Sequence, residues 1–517
     1  MKILIADFIA EQGIEILRAE HDVHVRTNLT ENELLDIIGD YDGLIVRSDT
    51  KVTEDVIESG KRLKIIGMAG VGVDHIDVPA ATKRGIIVAN TPEENIVSTS
   101  EHTIAMMLAL SRNIPQADAS LKANRWDRER FIGNEIKEKT LGIIGLGRIG
   151  IEVVKRAHHF EMNIIAYDPF ISDQRAKELG IELKNLDTVL KNSDYITIHT
   201  PLTSGTRNLI SDPQFAIMKK GVRIINCARG GIINEDALIR AIDDGRVSGA
   251  ALDVFAREPP SGSPLLESDL VIVTPHLGAS TIEAQTAVSV AIAGQVLAAL
   301  HGEIVQNAIN LPSIRPGVMD AMRSVAESTG SLCAQIVQDF DVIEIEYAGR
   351  LFDTDIRMIT HAALKGVLAT LLGSGVNYVN APELAKERKI KIKESKAIAA
   401  EIQSITIRLK GTVVRSVTSV FENDRMRIIG IDGCGVDIFP SRYMIVSRHQ
   451  NRPNIIGPCC TILGRDNINI SAMQVSCADG TAIMIMSVDS DIPPHVLEEI
   501  REVDGIIDAV LIYTTTP

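Results

Sequence analysis

Thr140-Leu141-Gly142-Ile143-Ile144-Gly145-Leu146-Gly147-Arg148-Ile149-Gly150 decides the fold of this 517-residue chain. Leu141 to Ile144 reads as a buried strand, Gly-x-Gly-x-x-Gly follows at once, and a helical pattern then runs to about Phe160. The next apolar run, Asn163 to Tyr167, ends on Asp168, about 20 residues beyond the first glycine, the spacing of a βαβ unit that binds a dinucleotide. Gly145 permits the tight turn, Gly147 lets backbone N–H groups approach a pyrophosphate, and Gly150 lets the helix lie close on the sheet. Asp168 is placed to accept hydrogen bonds from both ribose hydroxyls. Its charge would repel a 2′-phosphate, so NAD is expected rather than NADP.

Outward from this unit the same alternation continues. Tyr195 to His199, Val222 to Asn226, Gly249 to Leu252 and Leu270 to Val273 read as further strands of one parallel sheet. Toward the N-terminus, Ile3 to Ala6, Leu44 to Val46, Leu63 to Met68 and Ile86 to Ala89 alternate with the helices Glu11 to Ala19, Glu31 to Ile38 and Glu54 to Ser59, which predicts a second parallel sheet. A continuous helical stretch from Ile96 to Lys122 is expected to bridge the two. The helix Ile282 to His301 leads to a turn-rich segment, Asn310 to Gly317, where a domain boundary is expected. Residues 318–440 mix a helix (Asp320 to Val337) with alternating strands (Val342 to Tyr347, Ile405 to Leu409). From Tyr443 the order strand, helix, strand, strand, helix, strand is that of a ferredoxin-like βαββαβ unit.

Composition narrows the function. Lys and Arg number 53 against 68 Asp and Glu, a net charge of −15, and aromatics make up 3%. Both argue against a nucleic-acid partner. The apolar helix Ile282 to His301 is interrupted by Gln285, Ser289, Gly294 and Gln295 and reads as a packing helix rather than a membrane span. The start, Met1 to Asp7, lacks the apolar length of a signal peptide. The six cysteines have neither zinc-site spacing nor a CxxC pair, so buried reduced thiols in a cytoplasmic protein, and no metal, are expected.

Three polar clusters follow strand ends of the central sheet, where ligands sit in open α/β folds: Asn226 to Gly231, Asp253 to Pro260, and Thr274 to Ser280. They supply Arg229, Glu258 and His276. Hydride transfer between a nicotinamide and a 2-hydroxy acid needs a base for the hydroxyl proton, a carboxylate to orient and balance that base, and a cation for the substrate carboxylate. His, Glu and Arg meet those needs in that order.

With these motifs, Lys2-Ile3-Leu4-Ile5-Ala6-Asp7, Leu44-Ile45-Val46-Arg47-Ser48 and Pro275-His276-Leu277-Gly278-Ala279-Ser280, the whole chain resembles the D-2-hydroxyacid dehydrogenase family, in its long form with a C-terminal ACT domain. The resemblance implies two doubly wound parallel-sheet domains, a Rossmann cofactor domain at 97–281 inserted in a flavodoxin-like substrate domain at 1–96 and 282–310. An intervening α+β domain at 311–440 and a ferredoxin-like ACT regulatory domain at 441–517 follow. It implies NAD-dependent oxidation of 3-phospho-D-glycerate to 3-phosphohydroxypyruvate, the first step of L-serine biosynthesis. Arg229, Glu258 and His276 would be catalytic.

The cofactor contacts implied are Gly145, Gly147, Arg148, Ile149, Gly150, Asp168, Thr200, Cys227, Ala228, Asp253, Gly278 and Ala279. Arg47, and Arg128 from a dimer partner's loop, would hold the phosphate. Met68 stands where many relatives carry Arg and brings no charge to that phosphate, which keeps a dehydrogenase for another D-2-hydroxy acid as the alternative. In the tail, His449, Asn451 and Asn469 match an L-serine effector site, with Asn454 in place of a glycine that permits an unusual backbone angle. Homo-oligomerisation, as dimer or tetramer, is implied because both the partner loop and paired ACT domains need a second chain.

Overall fold

The fold is taken from a computed structural model, which describes residues 1–313, 317–337, 339–397, 400–422, 425–478 and 480–514. Part of the turn-rich segment, at 314–316, lies outside the described residues.

The N-terminal sheet is parallel, in the spatial order Asp22–Val25, Lys2–Ile5, Gly43–Val46, Ile65–Met68, Ile87–Ala89. Numbered along the chain this is 2-1-3-4-5, the flavodoxin-like arrangement. Its strands are apolar at successive positions because both faces are covered. Leu4, Leu44 and Ile66 point into one core, and Ile3, Ile45 and Ile65 into another.

The second core is closed by Val288, Ile292 and Val296 of the helix Ile282–His301. That helix has the length and apolar character of a membrane span, yet its buried stripe lies on this sheet. The chain then returns to the sheet itself, where Asn310 Oδ1 accepts from the Val88 N–H at 2.9 Å. Two elements escape the sequence pattern. Asp22–Val25 is a polar edge strand, and Val78–Lys83 is a single short helix capped by Asp77.

The central sheet is also parallel: Val271–Val273, Val247–Leu252, Val222–Asn226, Tyr195–Ile198, Thr140–Ile144, Asn163–Tyr167, Glu182–Leu183. Chain order reverses between Thr140–Ile144 and Tyr195–Ile198, which opens a crevice at the C-terminal ends of these strands. The expected continuous bridge is instead two helices, Ile96–Arg112 and Ile114–Lys122. Asn113 between them is left-handed (φ 53°). Pro115 explains the break: it has no N–H to bond to the Ser111 carbonyl four residues back and its ring crowds that carbonyl, and Asn tolerates the left-handed turn.

Beyond residue 317 a six-stranded sheet runs Lys391–Ala397, Val342–Ala348, Ser404–Lys410, Val414–Glu422, Arg425–Ile431, Cys434–Ile438. The helices Val318–Gln335 and Arg357–Leu372 share its core. The second helix was not anticipated. Nine of its residues are buried, and Arg357, His361 and Lys365, four apart, mark the one face that is not.

The C-terminal sheet is antiparallel, ordered Ile470–Ala478, Thr481–Val488, Tyr443–Gln450, Ile506–Tyr513, with the helices Ile456–Arg465 and Pro494–Glu502. Ile445, Met484 and Met486 face those helices, whereas Met444, Val446, Ile483, Ile485 and Ile512 on the opposite face enter the core of the preceding six-stranded unit. Arg415 spans this junction, paired to Asp432 at 2.8 Å and to Asp508. Of the six cysteines four are buried, but Cys460 is half-buried and Cys477 exposed. Cys477 corrects the expectation of buried thiols, because it stands on an edge strand.

Candidate active site

A cleft of about 780 Å³ opens between the C-terminal ends of the two parallel sheets, and Arg47, Met68, Asp74, Arg229, Glu258 and His276 line it. Each of the three cofactor-sheet residues stands on a loop whose shape the sequence dictates. Asn226, buried at the end of its strand, accepts from the Ala228 N–H at 3.1 Å and donates to the Arg229 carbonyl at 3.0 Å, so one side chain folds the turn that presents Arg229. Gly230 allows that turn to press on its neighbour, since a Cβ there would lie 1.8 Å from the Phe255 carbonyl oxygen.

His276 is held by Asp253. The His276 N–H donates to the Asp253 carbonyl at 2.9 Å. The Asp253 carboxylate, fully buried, accepts from Thr274 Oγ1 at 2.6 Å, Leu277 N–H at 2.7 Å and Gly278 N–H at 2.9 Å. Burial works against its charge, but the bonds from His102, Thr274 and Leu277 outweigh burial and hold the carboxyl below its usual range. Asp253, expected to contact the cofactor, spends its oxygens on the loop that carries the histidine. His276 itself adopts φ 55°, an uncommon left-handed conformation for a non-glycine residue.

The expected pair is formed. His276 Nδ1 lies 2.8 Å from Glu258 Oε2, while Glu258 Oε1 accepts from the Phe255 N–H at 3.0 Å. Burial opposes ionisation of Glu258, yet its contact with His276 prevails and keeps the carboxyl below its usual range. With Nδ1 engaged by a carboxylate, Nε2 is the ring nitrogen left for a substrate.

The phosphate and ribose elements of a dinucleotide site are present. Gly145 has φ 98°, and a Cβ at Gly150 would lie 2.2 Å from the Gly145 carbonyl oxygen, so turn and helix touch. Gly147 precedes the helix Arg148–His159, and nothing lies within 4 Å of a Cβ built there, which leaves room for a pyrophosphate. Asp168 accepts from the Leu146 N–H at 2.7 Å and the Phe170 N–H at 2.8 Å, one bond on each oxygen, which leaves lone pairs for ribose hydroxyls. The buried Thr200 Oγ1 has no hydrogen-bond partner, a polar atom for which a cofactor would provide one.

Cys227 is buried beside Asp253, and burial pushes its thiol up, so any contact it makes is by backbone. Arg148 Nη2 is taken by Glu93 at 2.9 Å, leaving its backbone, like that of Ile149, at the helix start. Gly278 lies against Asp253 and Thr99, and Ala279 lines the cleft. These residues fit NAD.

At the far side of the cleft stands Arg47. Arg128, expected from a partner's loop, sits on the exposed short turn Arg128–Phe131, outside the lining of the cleft of its own chain. Sequence reasoning missed Lys51, a second cation in the cleft lining, and Asn95, whose buried Oδ1 has no partner. It also missed His102, which lies 3.2 Å from Thr274 Oγ1. A Lys five residues past a strand and an Asn before a helix carry no signal until folding brings them to the cleft.

The residues matched to an effector differ in exposure. His449 is buried in the C-terminal sheet with Nε2 unpartnered, Asn451 is exposed, and Asn469 donates to Asp489 at 2.5 Å. Asn454 has φ 64°, the left-handed angle that a glycine would take without strain.

Two family models match the chain: the D-isomer specific 2-hydroxyacid dehydrogenase NAD binding domain over residues 104–278, and the D-3-phosphoglycerate dehydrogenase intervening domain over 318–432. Among similar curated proteins, D-3-phosphoglycerate dehydrogenase of Synechocystis sp. is 44% identical over 98% of this chain and 94% of its own length. That of Methanocaldococcus jannaschii is 44% identical over 99% of each. Among solved structures, D-lactate dehydrogenase from Aquifex aeolicus complexed with NAD and lactic acid is similar over 60% of this chain and all of its own, with TM-score 0.54 and 31% identity. An NAD-dependent formate dehydrogenase from Staphylococcus aureus in complex with NAD covers 61% of this chain and all of its own, with TM-score 0.56 and 29% identity.

Proposed function

The chain belongs to the D-3-phosphoglycerate dehydrogenase family, within the D-isomer specific 2-hydroxyacid dehydrogenases, and on that premise we propose how its cleft carries out the NAD-dependent oxidation of 3-phospho-D-glycerate to 3-phosphohydroxypyruvate. The single observation that carries the mechanism is the 2.8 Å His276–Glu258 pair facing Arg229 in one cleft. Arg229 grips the substrate carboxylate. His276 Nε2 takes the hydroxyl proton, and the ionised Glu258 at Nδ1 orients the ring and balances the imidazolium that results. Bound NAD supplies the hydride acceptor. Asp168 holds its ribose, and the N–H groups of Arg148 and Ile149 hold its pyrophosphate.

Arg47 and Lys51 take the phosphate, with Arg128 delivered by a partner subunit, and so offset the neutral Met68. Residues 1–96 with 282–310 bind substrate, 97–281 bind NAD, 311–440 form the intervening domain, and 441–517 form an ACT domain that binds L-serine between paired copies as a feedback inhibitor. The enzyme works as a homo-oligomer, dimer or tetramer. Cysteines present as thiols fit the reducing cytoplasm.

The test follows NADH formation with 3-phospho-D-glycerate, D-lactate, D-glycerate and D-2-hydroxyglutarate. Turnover is expected with the phosphorylated substrate foremost. Preference for an unphosphorylated acid would move the assignment to another D-2-hydroxy acid, with Met68 as the cause.

A further inference from the structure

Arg229 Nε lies 3.3 Å from Asp74 Oδ2. The two residues belong to opposite walls of the cleft. Asp74 stands on the loop that follows Ile65–Met68 of the N-terminal sheet, and Arg229 on the loop that follows Val222–Asn226 of the central sheet. The rest of the guanidinium is also placed: Nη1 donates to the Ala228 carbonyl at 2.7 Å, and a Cβ built on Gly72 would fall 2.3 Å from Nη2, so the group lies against the Gly72 backbone.

The loop that carries Asp74 is pinned on both sides. Asn90 Nδ2 donates to the Val71 carbonyl at 2.7 Å, the Thr91 N–H to the Gly70 carbonyl at 2.8 Å, and the Val52 N–H to the His75 carbonyl at 2.9 Å. Asp77 then caps the following helix through the Ala80 N–H at 2.9 Å. A carboxylate on so fixed a platform can set the direction of a flexible arginine.

We propose that Asp74 is a positioning residue for Arg229, holding the Nε edge of the guanidinium from the opposite wall so that the Nη edge meets the substrate carboxylate. The inference rests on the reading of Arg229 as the carboxylate-binding residue. Arginine can fork a carboxylate only when two of its N–H groups point the same way, and Asp74 fixes which two remain. The pair also crosses the cleft, so Arg229 is aimed only while the two walls are close enough for the contact to form, which ties substrate alignment to closure.

The half-exposed Asp74 contributes little to stability, as exposed pairs generally do, so its loss should be silent in unfolding and visible in kinetics. Asp74→Asn should lower kcat/KM for the hydroxy acid by about 10- to 100-fold through misplacement of Arg229. The dissociation constant for NADH, read by fluorescence, and the melting temperature should stay near wild type. Asp74→Glu should restore part of the loss. Gly72→Ala, which displaces the guanidinium without touching the ion pair's charges, should lower the same ratio with the same cofactor affinity.

In the Arg229→Lys background, Asp74→Asn should add almost nothing, because the group it positions is gone. An unchanged kcat/KM in Asp74→Asn, or a loss that adds in full to that of Arg229→Lys, overturns the assignment. If Arg229→Lys itself leaves kcat/KM unchanged, the reading of Arg229 fails first. A collapse in Arg229→Lys beside a silent Asp74→Asn sinks only the positioning role.

Discussion

In the cleft, the side chains that the chemistry requires already touch one another, whereas in the C-terminal sheet the residues matched to an effector share no hydrogen bond. His276 meets Glu258 at 2.8 Å and Arg229 meets Asp74 at 3.3 Å, each across separate loops. His449, in contrast, is buried in the sheet while Asn451 and Asn469 are exposed. The difference follows from architecture. Loops at the C-terminal ends of parallel strands converge within one chain, so the His276, Glu258 and Arg229 constellation forms when the chain folds. Residues along an antiparallel sheet diverge, and a site built from them needs a second copy to close it.

The sharpest way to break this contrast is to remove the base. His276→Asn should reduce turnover by about 100-fold or more while NADH binding holds, measured by steady-state rates beside fluorescence titration. Retained turnover would mean that the cleft is not the unit described.

Acid stability probes the same side of the comparison. Burial pushes His199 in the cofactor domain down to about 4 from 6.5, so the unfolded chain takes up its proton first as pH falls. Its contribution is intact above about pH 6.5 and is lost progressively as pH falls toward 4, about 3 kcal/mol in all. Thermal melts from pH 7 to pH 4 should show His199→Asn less acid-sensitive than wild type. Equal slopes would exclude His199 as the source.

A smaller effect is expected at the cofactor ribose, where Asp168→Ala should cut the preference for NAD over NADP by about 10-fold, roughly the worth of a charge-assisted hydrogen bond. An unchanged ratio of kcat/KM values would remove Asp168 from the ribose. The smallest effect belongs to the tail: millimolar L-serine should inhibit a few-fold, about 1 kcal/mol of coupling, and His449→Ala should abolish inhibition with little change in basal rate. If inhibition is equally strong at protein concentrations where the chain is monomeric, the need for a second copy is wrong.

What could be read before folding, and what could not, divides along the same line. The Gly145 to Gly150 fingerprint, Asp168, and the Arg229, Glu258 and His276 clusters are legible because short local motifs set the turns that present them. Strand positions of both parallel sheets are legible because apolar runs have no polar neighbours to blur them. Asn95, Lys51 and Asp74 are not, since their roles arise from residues more than a hundred positions away in the chain or from a loop with no motif. Asp253 was recognised as polar at a strand end, but only its contacts show that it braces the His276 loop. Arg357–Leu372 and the break at Asn113 were legible and were missed: Arg357, His361 and Lys365 recur at helical spacing, and Pro115 marks the break.

The two-sided burial of the C-terminal sheet has a consequence for how such a chain can change over generations. Met444, Val446, Ile483, Ile485 and Ile512 complete a core that begins in the six-stranded unit before them. A deletion that ends the gene near residue 440 would strip the lid from that core and leave a bare apolar face, a target for aggregation. The last two units therefore stand or fall together, and a chain cut near residue 440 is expected to lose the fold of the six-stranded unit along with the tail.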